Sequence, residues 1–234
     1  MNTVTPLSQA APYAIGPAAA VTLVIDVGGT HVKARIGREE NEVKFVSGAA
    51  MTPQEMVGTL KEQLAGRSFQ RVSMGVPMPV RGGRIVAEPH HLGTGWLGFD
   101  FAQAFACPVR IINDAAMQAL GSYRSGTMLF LGLGTGLGSA LITDGRVVPL
   151  ELGHLPYRKN NFEYYVSDER RKKNKKAWPG TVLEVVEMLR AAFLPDYIVL
   201  GGGNAKKIGA LPAGVELGDN SNALEGGLRL WALS

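Results

Sequence analysis

Apolar residues come in short blocks that end in glycine, and this rhythm dominates the chain. VTLVID (21–26) enters Gly28-Gly29-Thr30, and VKARIG (32–37) and EVKFVSG (42–48) read as the next two strands of a meander. The pattern then changes period. Pro53 suits a first helical turn, Met56, Val57, Leu60 and Leu64 share one face, and Gly66 stops the helix. RVSMGV (71–76) is a strand running into a proline loop, RIVA (84–87) a shorter one, FDFAQAF (99–105) a short helix, and PVRIIND (108–114) a strand ending in Asn-Asp.

The second half repeats the theme. TMLFLGL (127–133) runs into Gly134-Thr135-Gly136, followed by GSALIT (138–143) and RVVP (146–149) as strands. TVLEVVEMLRAAF (181–193) has a helical period, DYIVL (196–200) is a buried strand entering Gly201-Gly202-Gly203, and a last helix is expected over residues 223–231. Two strand, glycine-turn, strand units in one chain predict a duplicated mixed α/β architecture with a ligand cleft between its halves. Residues 1–20 are expected to form a loose tail, 21–114 a first domain and 115–234 a second, whose last helix returns to the first.

Composition narrows this picture. At 234 residues with 46% hydrophobic and 19% charged positions, the chain is of ordinary globular make-up, which excludes disordered, collagen-like and coiled-coil classes. The 30 glycines exceed the usual share of about 7% and gather at the three turns named above, which points to close backbone approach to a ligand. A single cysteine, Cys107, leaves no intrachain disulfide or multi-cysteine zinc site and fits a reducing, cytoplasmic setting. Pro6, Pro12 and Pro17 interrupt any signal-peptide core, and no apolar run is long enough to span a membrane. Charge is unevenly placed. The formal net charge is +4, but residues 158–176 hold eight basic against three acidic side chains. That segment reads either as a solvated surface or as a patch for a polyanion.

The turns carry the first candidate chemistry. Asp26-Val27-Gly28-Gly29-Thr30 follows a strand, so amide groups can face an anion and the carboxylate a metal-bound phosphate; the same residues also suit an ordinary hairpin. Neither P-loop nor dinucleotide-fold spacing is present. Gly134-Thr135-Gly136 supplies a second nest of donors, and two such turns can hold two phosphates. Asn113-Asp114 at a strand end fits a helix cap as well as a reactive site. Lys33 reads equally as an exposed strand residue or a phosphate contact.

Taken in order, five motifs resemble the ROK group of sugar kinases in the actin, Hsp70 and hexokinase superfamily. IDVGGTHVK (25–33) resembles the first phosphate loop and LGLGTGLGSAL (131–141) the second. Asn113-Asp114 matches the place of the sugar-binding asparagine and catalytic aspartate. Glu151-Leu152-Gly153-His154 resembles the ExGH sugar motif, and VLGGGNAKK (199–207) the loop beside the nucleotide. The likeness spans about residues 21–231 and is nearest to the polyphosphate glucokinase and glucokinase branch.

The resemblance implies an actin-like, ribonuclease H-like duplicated fold of two domains and a Mg²⁺-dependent kinase that phosphorylates the 6-hydroxyl of glucose or a close hexose. ATP, polyphosphate or both would serve as donor. Asp114 would be the general base, and Asp114 with Asn113, Glu151, His154, His91 and Gly75 would hold the sugar. Gly75 would act through its backbone alone. Asp26, Gly28, Gly29, Thr30, Gly134, Thr135, Gly136, Gly202, Gly203 and Asn204 would surround the phosphates or nucleotide, with Asp26 holding Mg²⁺ through water. A homodimer is implied too.

Two departures bear on this. The cysteine cluster of zinc-bearing ROK kinases is missing, so no zinc is expected at His154. In PHHLGTGW, His91 stands five residues before Trp96 where relatives carry asparagine, which leaves sugar preference open. Lys172, Lys173, Lys175 and Lys176 are the expected polyphosphate patch. No nucleic-acid module surrounds them, so neither a nucleic-acid nor a membrane partner is expected. The alternatives are a silent sugar or phosphate sensor of the same fold, a kinase for another hexose, and, less favoured, a nucleotide hydrolase.

Overall fold

The computed structural model describes residues 20–219 and 221–232. The expected tail over 1–20 lies almost wholly outside the described residues. In the first half, β1 (Thr22–Val27), β2 (His31–Ile36) and β3 (Val43–Val46) form an antiparallel meander. Helix α1 (Pro53–Gln63) leads to β4 (Arg71–Val76), which lies parallel to β1. The Thr52 hydroxyl accepts from the Glu55 amide while the Glu55 carboxylate accepts from the Thr52 amide, so α1 starts on a reciprocal cap. Burying Met56, Val57 and Leu60 against the sheet contributes about 1.5–3 kcal/mol each. A small hairpin of β5 (Val80–Arg81) and β6 (Arg84–Ile85), then helix α2 (Phe101–Phe105), precede β7 (Val109–Asn113), parallel to β4. The sheet order is β3-β2-β1-β4-β7.

Helix α3 (Asp114–Ser122) connects to a second sheet built on the same plan. Here β8 (Thr127–Leu133), β9 (Leu137–Thr143) and β10 (Arg146–Leu150) form the meander. A minor hairpin, β11 (Pro156–Tyr157) and β12 (Asn160–Asn161), is followed by helices α4 (Phe162–Val166), α5 (Asp168–Lys173) and α6 (Trp178–Phe193). Strands β13 (Tyr197–Gly201) and β14 (Val215–Leu217) complete the order β10-β9-β8-β13-β14, and α7 (Asn222–Arg229) ends in a short 3₁₀ turn. Strand β14 and helices α4 and α5 escaped the apolar pattern: the strand is three residues long, and α5 is charged on every side.

Helices α3 and α7 fill the space between the sheets. They cross closely, since a Cβ on Gly226 would land 1.8 Å from the Met117 carbonyl oxygen. Buried Val24, Met117, Phe130, Ile142 and Ala223 form the core that joins the halves. The chain end docks on the first half. Trp231 lies between the guanidinium groups of Arg71 and Arg110, and its indole N–H donates to Ser73 Oγ at 2.8 Å. Ser73 in turn donates to the Gly227 carbonyl at 2.6 Å. The result is the actin-like arrangement: two mixed five-stranded sheets, with their glycine turns at the ends of β1 and β8.

Candidate active site

The two sheets bring Asp26, Lys33, Gln118, Gly202 and Gly203 around one cavity of about 210 Å³. Asp26 and Lys33 come from the first half, Gln118 from α3, and the glycines from the second. Lys33 sits opposite Asp26 in the β1–β2 register, so the hairpin itself puts a cation beside the carboxylate. Burial raises the Asp26 pKa and Lys33 opposes that shift. The sequence left Lys33 undecided and Gln118 unnoticed. The alternation along β2 places Lys33 on the face opposite buried Val32 and Ala34, but only pairing shows that this face meets the cleft.

Asp114 stands where β7 turns into α3. Its pKa is raised to about 7, first by burial and then by repulsion from Asp26, with Glu151 adding to it; a hydrogen bond from the Ala115 amide opposes these. Gly75 makes the approach possible. It lies on β4 next to Asp26 on one side and Ile112 on the other, and a Cβ there would meet the Met117 methyl at 2.5 Å and Asp114 Cα at 3.4 Å. Its role in the structure is therefore to let α3 sit close to the sheet. Asn113 caps α3, with Oδ1 accepting from the amides of Ala115 at 3.0 Å and Ala116 at 3.3 Å. Its Nδ2 donates to the Met78 carbonyl at 3.4 Å, so one amide proton is left for a ligand. The helix-cap reading of Asn113 is thus realised, and it aims Asp114.

Glu151 and His154 flank a single 3₁₀ turn, 3.8 Å apart at their nearest atoms and both largely exposed. Burial raises the Glu151 pKa, His154 lowers it, and Glu163 raises it again. Ser139 fixes this turn to β9 by donating to the Leu150 carbonyl and accepting from the Leu152 amide. Sequence reasoning missed both Ser139 and Glu163. Glu163 Oε2 accepts from the Leu137 amide at 3.2 Å and occupies the space a Cβ on Gly136 would need. A half-buried carboxylate one residue after buried Phe162 on a short helix gave no signal in the pattern.

The turns differ from a simple nest of amides. Gly28 N–H donates to the His31 carbonyl at 2.9 Å and Gly134 N–H to the Gly136 carbonyl at 3.2 Å. Those two donors are engaged in closing their turns, so Gly28 and Gly134 are left without a free amide. Among the described residues, the amides of Gly29, Thr30, Thr135 and Gly136 have no such partner. Asn204 is a brace: its amide donates to the Leu133 carbonyl and its Nδ2 to that of Gly134. Gly202 adopts φ +80, and a Cβ there would strike the Leu133 carbonyl at 2.4 Å. Gly203 is open on its Cβ side. His91 is exposed and lies over the first turn, 3.6 Å from where a Gly29 Cβ would be. The loop holding it is pinned by Glu88, which accepts from the amides of Gly95, Trp96 and Leu97, and by the buried Trp96.

The basic segment is quieter than its composition. Asp168 pairs with Arg171 and Lys172, and Glu169 with Lys173, within α5. Of the expected polyphosphate patch, Lys172 and Lys173 are each paired with a carboxylate, and Lys175 and Lys176 are exposed.

Residues 22–162, well over half the chain, match the ROK family. The chain belongs to the ROK family, among its sugar kinases. It is 28% identical over 206 residues to the polyphosphate glucokinase of Mycobacterium tuberculosis, covering 78% of this chain and 77% of that one. It is 32% identical over 147 residues to the N-acetylmannosamine kinase of Citrobacter koseri, covering 54% and 49%. Among solved structures, the inorganic polyphosphate/ATP-glucomannokinase of Arthrobacter sp. strain KM superposes with TM-score 0.79 at 24% identity, over 92% of this chain and 99% of that one. A ROK family glucokinase from Streptomyces griseus, in complex with glucose and AMPPNP, gives 0.69 at 17%, over 90% and 98%. These likenesses identify the fold. No described helix is long and apolar enough to cross a membrane.

Proposed function

We propose that this ROK protein transfers a phosphoryl group from inorganic polyphosphate, ATP or both to the 6-hydroxyl of glucose or a close hexose. The observation that carries the reading is Asp114: a carboxylate with a pKa near neutrality at the start of α3, near enough to Asp26 to be repelled by it and one turn before Gln118, both of which line the cavity that the two halves share. In the proposed step the sugar 6-oxygen attacks the terminal phosphorus of the donor. The new oxygen–phosphorus bond forms as the bond to the leaving phosphate breaks, and the hydroxyl proton passes to Asp114. Asn113 Nδ2 donates to a neighbouring hydroxyl, and Glu151 and His154 read the opposite edge of the ring. The free amides of Gly29, Thr30, Thr135 and Gly136 receive phosphate oxygens, with Lys33 beside them.

The donor set suits Mg²⁺. Burial raises both Asp26 and Asp114, and the Asp26 charge raises Asp114 further, so a hard cation held by Asp26 through water would relieve a repulsion already present. When bound, such an ion neutralises charge on the donor phosphates. The names of the relatives support glucose with polyphosphate or ATP, and the glucomannokinase extends the acceptor to mannose. On the same reading the protein works as a homodimer in the cytoplasm.

The test is formation of hexose 6-phosphate from glucose and from mannose, with Mg²⁺ and either donor. Product with one donor or both is the expected result. No product from any combination, with sugar binding still measurable, would convert the reading to the sugar sensor.

A further inference from the structure

Outside the cleft, a cavity of about 220 Å³ opens between α4, α5 and the first turn of α6, walled by Arg158, Tyr165, Arg170, Asn174, Trp178 and Thr181. Two guanidinium groups clasp one ring there. Arg158 lies 4.8 Å from the centre of Tyr157 and 5.5 Å from that of Tyr165, and Arg170 lies 4.3 Å from Tyr164 and 5.5 Å from Tyr165. These contacts hold both guanidinium groups against the rings, and the planar donor fork of arginine suits phosphate oxygens.

The charges around this cavity are sorted. On α5 the cations Arg171, Lys172 and Lys173 are paired with Asp168 or Glu169. Arg170, on the same helix, has no carboxylate at ion-pair distance among the described residues. Arg158 shares Glu184 at 2.6 Å, and no carboxylate is part of the cavity wall. Asn174 Oδ1 accepts from the Ala177 amide, which leaves Nδ2 as a further donor. Arg158 is thus matched by Glu184 just outside the wall, and the cavity offers one unmatched guanidinium, Arg170, with Asn174 Nδ2 as a neutral donor beside it.

Its place relative to the phosphate turns names the occupant. The first residue of α5, Asp168, donates its amide to the Gly134 carbonyl at 3.0 Å, so this helix starts on the second turn. Arg170 is less than one helical turn further on. We propose that the Arg158–Arg170 cavity holds distal phosphates of an inorganic polyphosphate chain whose terminal phosphoryl group lies at the Gly134–Gly136 turn. This rests on the donor reading above and moves the polyanion contact from the lysines of 172–176 to two stacked arginines.

The experiment compares the parent with R158A/R170A, using long-chain polyphosphate, tripolyphosphate and ATP as donors. The KM for the long chain rises about tenfold, as expected for losing two charge-assisted contacts, while kcat and the KM values for tripolyphosphate and ATP stay within about twofold. R170K, which keeps charge but loses the planar stack, falls between. An unchanged long-chain KM overturns the proposal, as does an equal rise for all three donors. Should the parent use no polyphosphate, the donor reading fails by itself, and direct titration of the parent and the double variant decides the cavity. Chain binding that the variant loses, and that orthophosphate at equal phosphorus does not displace, supports the site. Binding that the variant keeps, or that orthophosphate displaces equally, overturns it.

Discussion

The two glycine turns grow from the same pattern, an apolar strand entering a short turn and a second strand, yet they end in different surroundings. The first turn closes on its own hydrogen bond from Gly28 to His31, has one further backbone bond from the Ser47 amide to the Thr30 carbonyl, and lies beside His91. The second closes likewise, and is then held from three sides. Asn204 and Asp168 donate to the carbonyls of Leu133 and Gly134, and Glu163 takes the Leu137 amide. The second turn is therefore braced by more contacts from distant elements than the first. The first half contributes Asp26, Lys33, Asn113 and Asp114; the second supplies a fixed cradle.

Breaking that cradle is expected to have the largest effect on stability. In G202V a side chain must occupy a left-handed backbone position and meets the Leu133 backbone, which cannot yield. A loss of about 2–4 kcal/mol in urea denaturation is expected. A change below about 0.5 kcal/mol, the scale of an ordinary surface substitution, would show that the second turn is not fixed.

Asp114 gives the next effect, with opposite sign. Its folded-state pKa of about 7 lies above the ordinary carboxylate value. The protonated acid is therefore favoured in the fold, and this contribution is fully present below the unfolded-state pKa and lost as pH rises through about 7. D114N removes the loss, so it is expected to be more stable than the parent at pH 8 by about 1–3 kcal/mol, the gap closing as pH falls. Equal melting temperatures across that window would contradict the burial of a reluctant carboxylate.

Much of this was legible in the chain. The strands beside the turns, helix α1 with its proline start, and Asn113-Asp114 at a strand end followed from period and punctuation. What escaped depended on side chains meeting across long separations. Glu163 reaches back 26 residues to Leu137, and Asn204 reaches 70 to Gly134. No periodicity records such contacts. Charge counting gave the excess of the basic segment but not its distribution: i,i+3 and i,i+4 pairs inside α5 engage Arg171, Lys172 and Lys173 and leave Arg170 outside them. Lys33 needed the register of β1 and β2 before its facing was defined.

Smaller effects separate the two turns. E163A removes one hydrogen bond to the second turn and is expected to cost about 1 kcal/mol while raising the donor KM. G29A in the first turn meets only ordinary contact and is expected to change stability by less than about 0.5 kcal/mol. Equal costs at the two positions, read from the same denaturation curves, would erase the distinction between a braced and an open turn.

The most direct test of the central claim is the pH dependence of hexose 6-phosphate formation by the parent and by D114N under saturating donor. With Asp114 as the base, the parental rate falls tenfold per pH unit below an apparent pKa in the region of neutrality, and D114N is slower by about 10²–10⁴ with that limb gone. A D114N enzyme at parental rate, with the acid limb intact, would contradict the account.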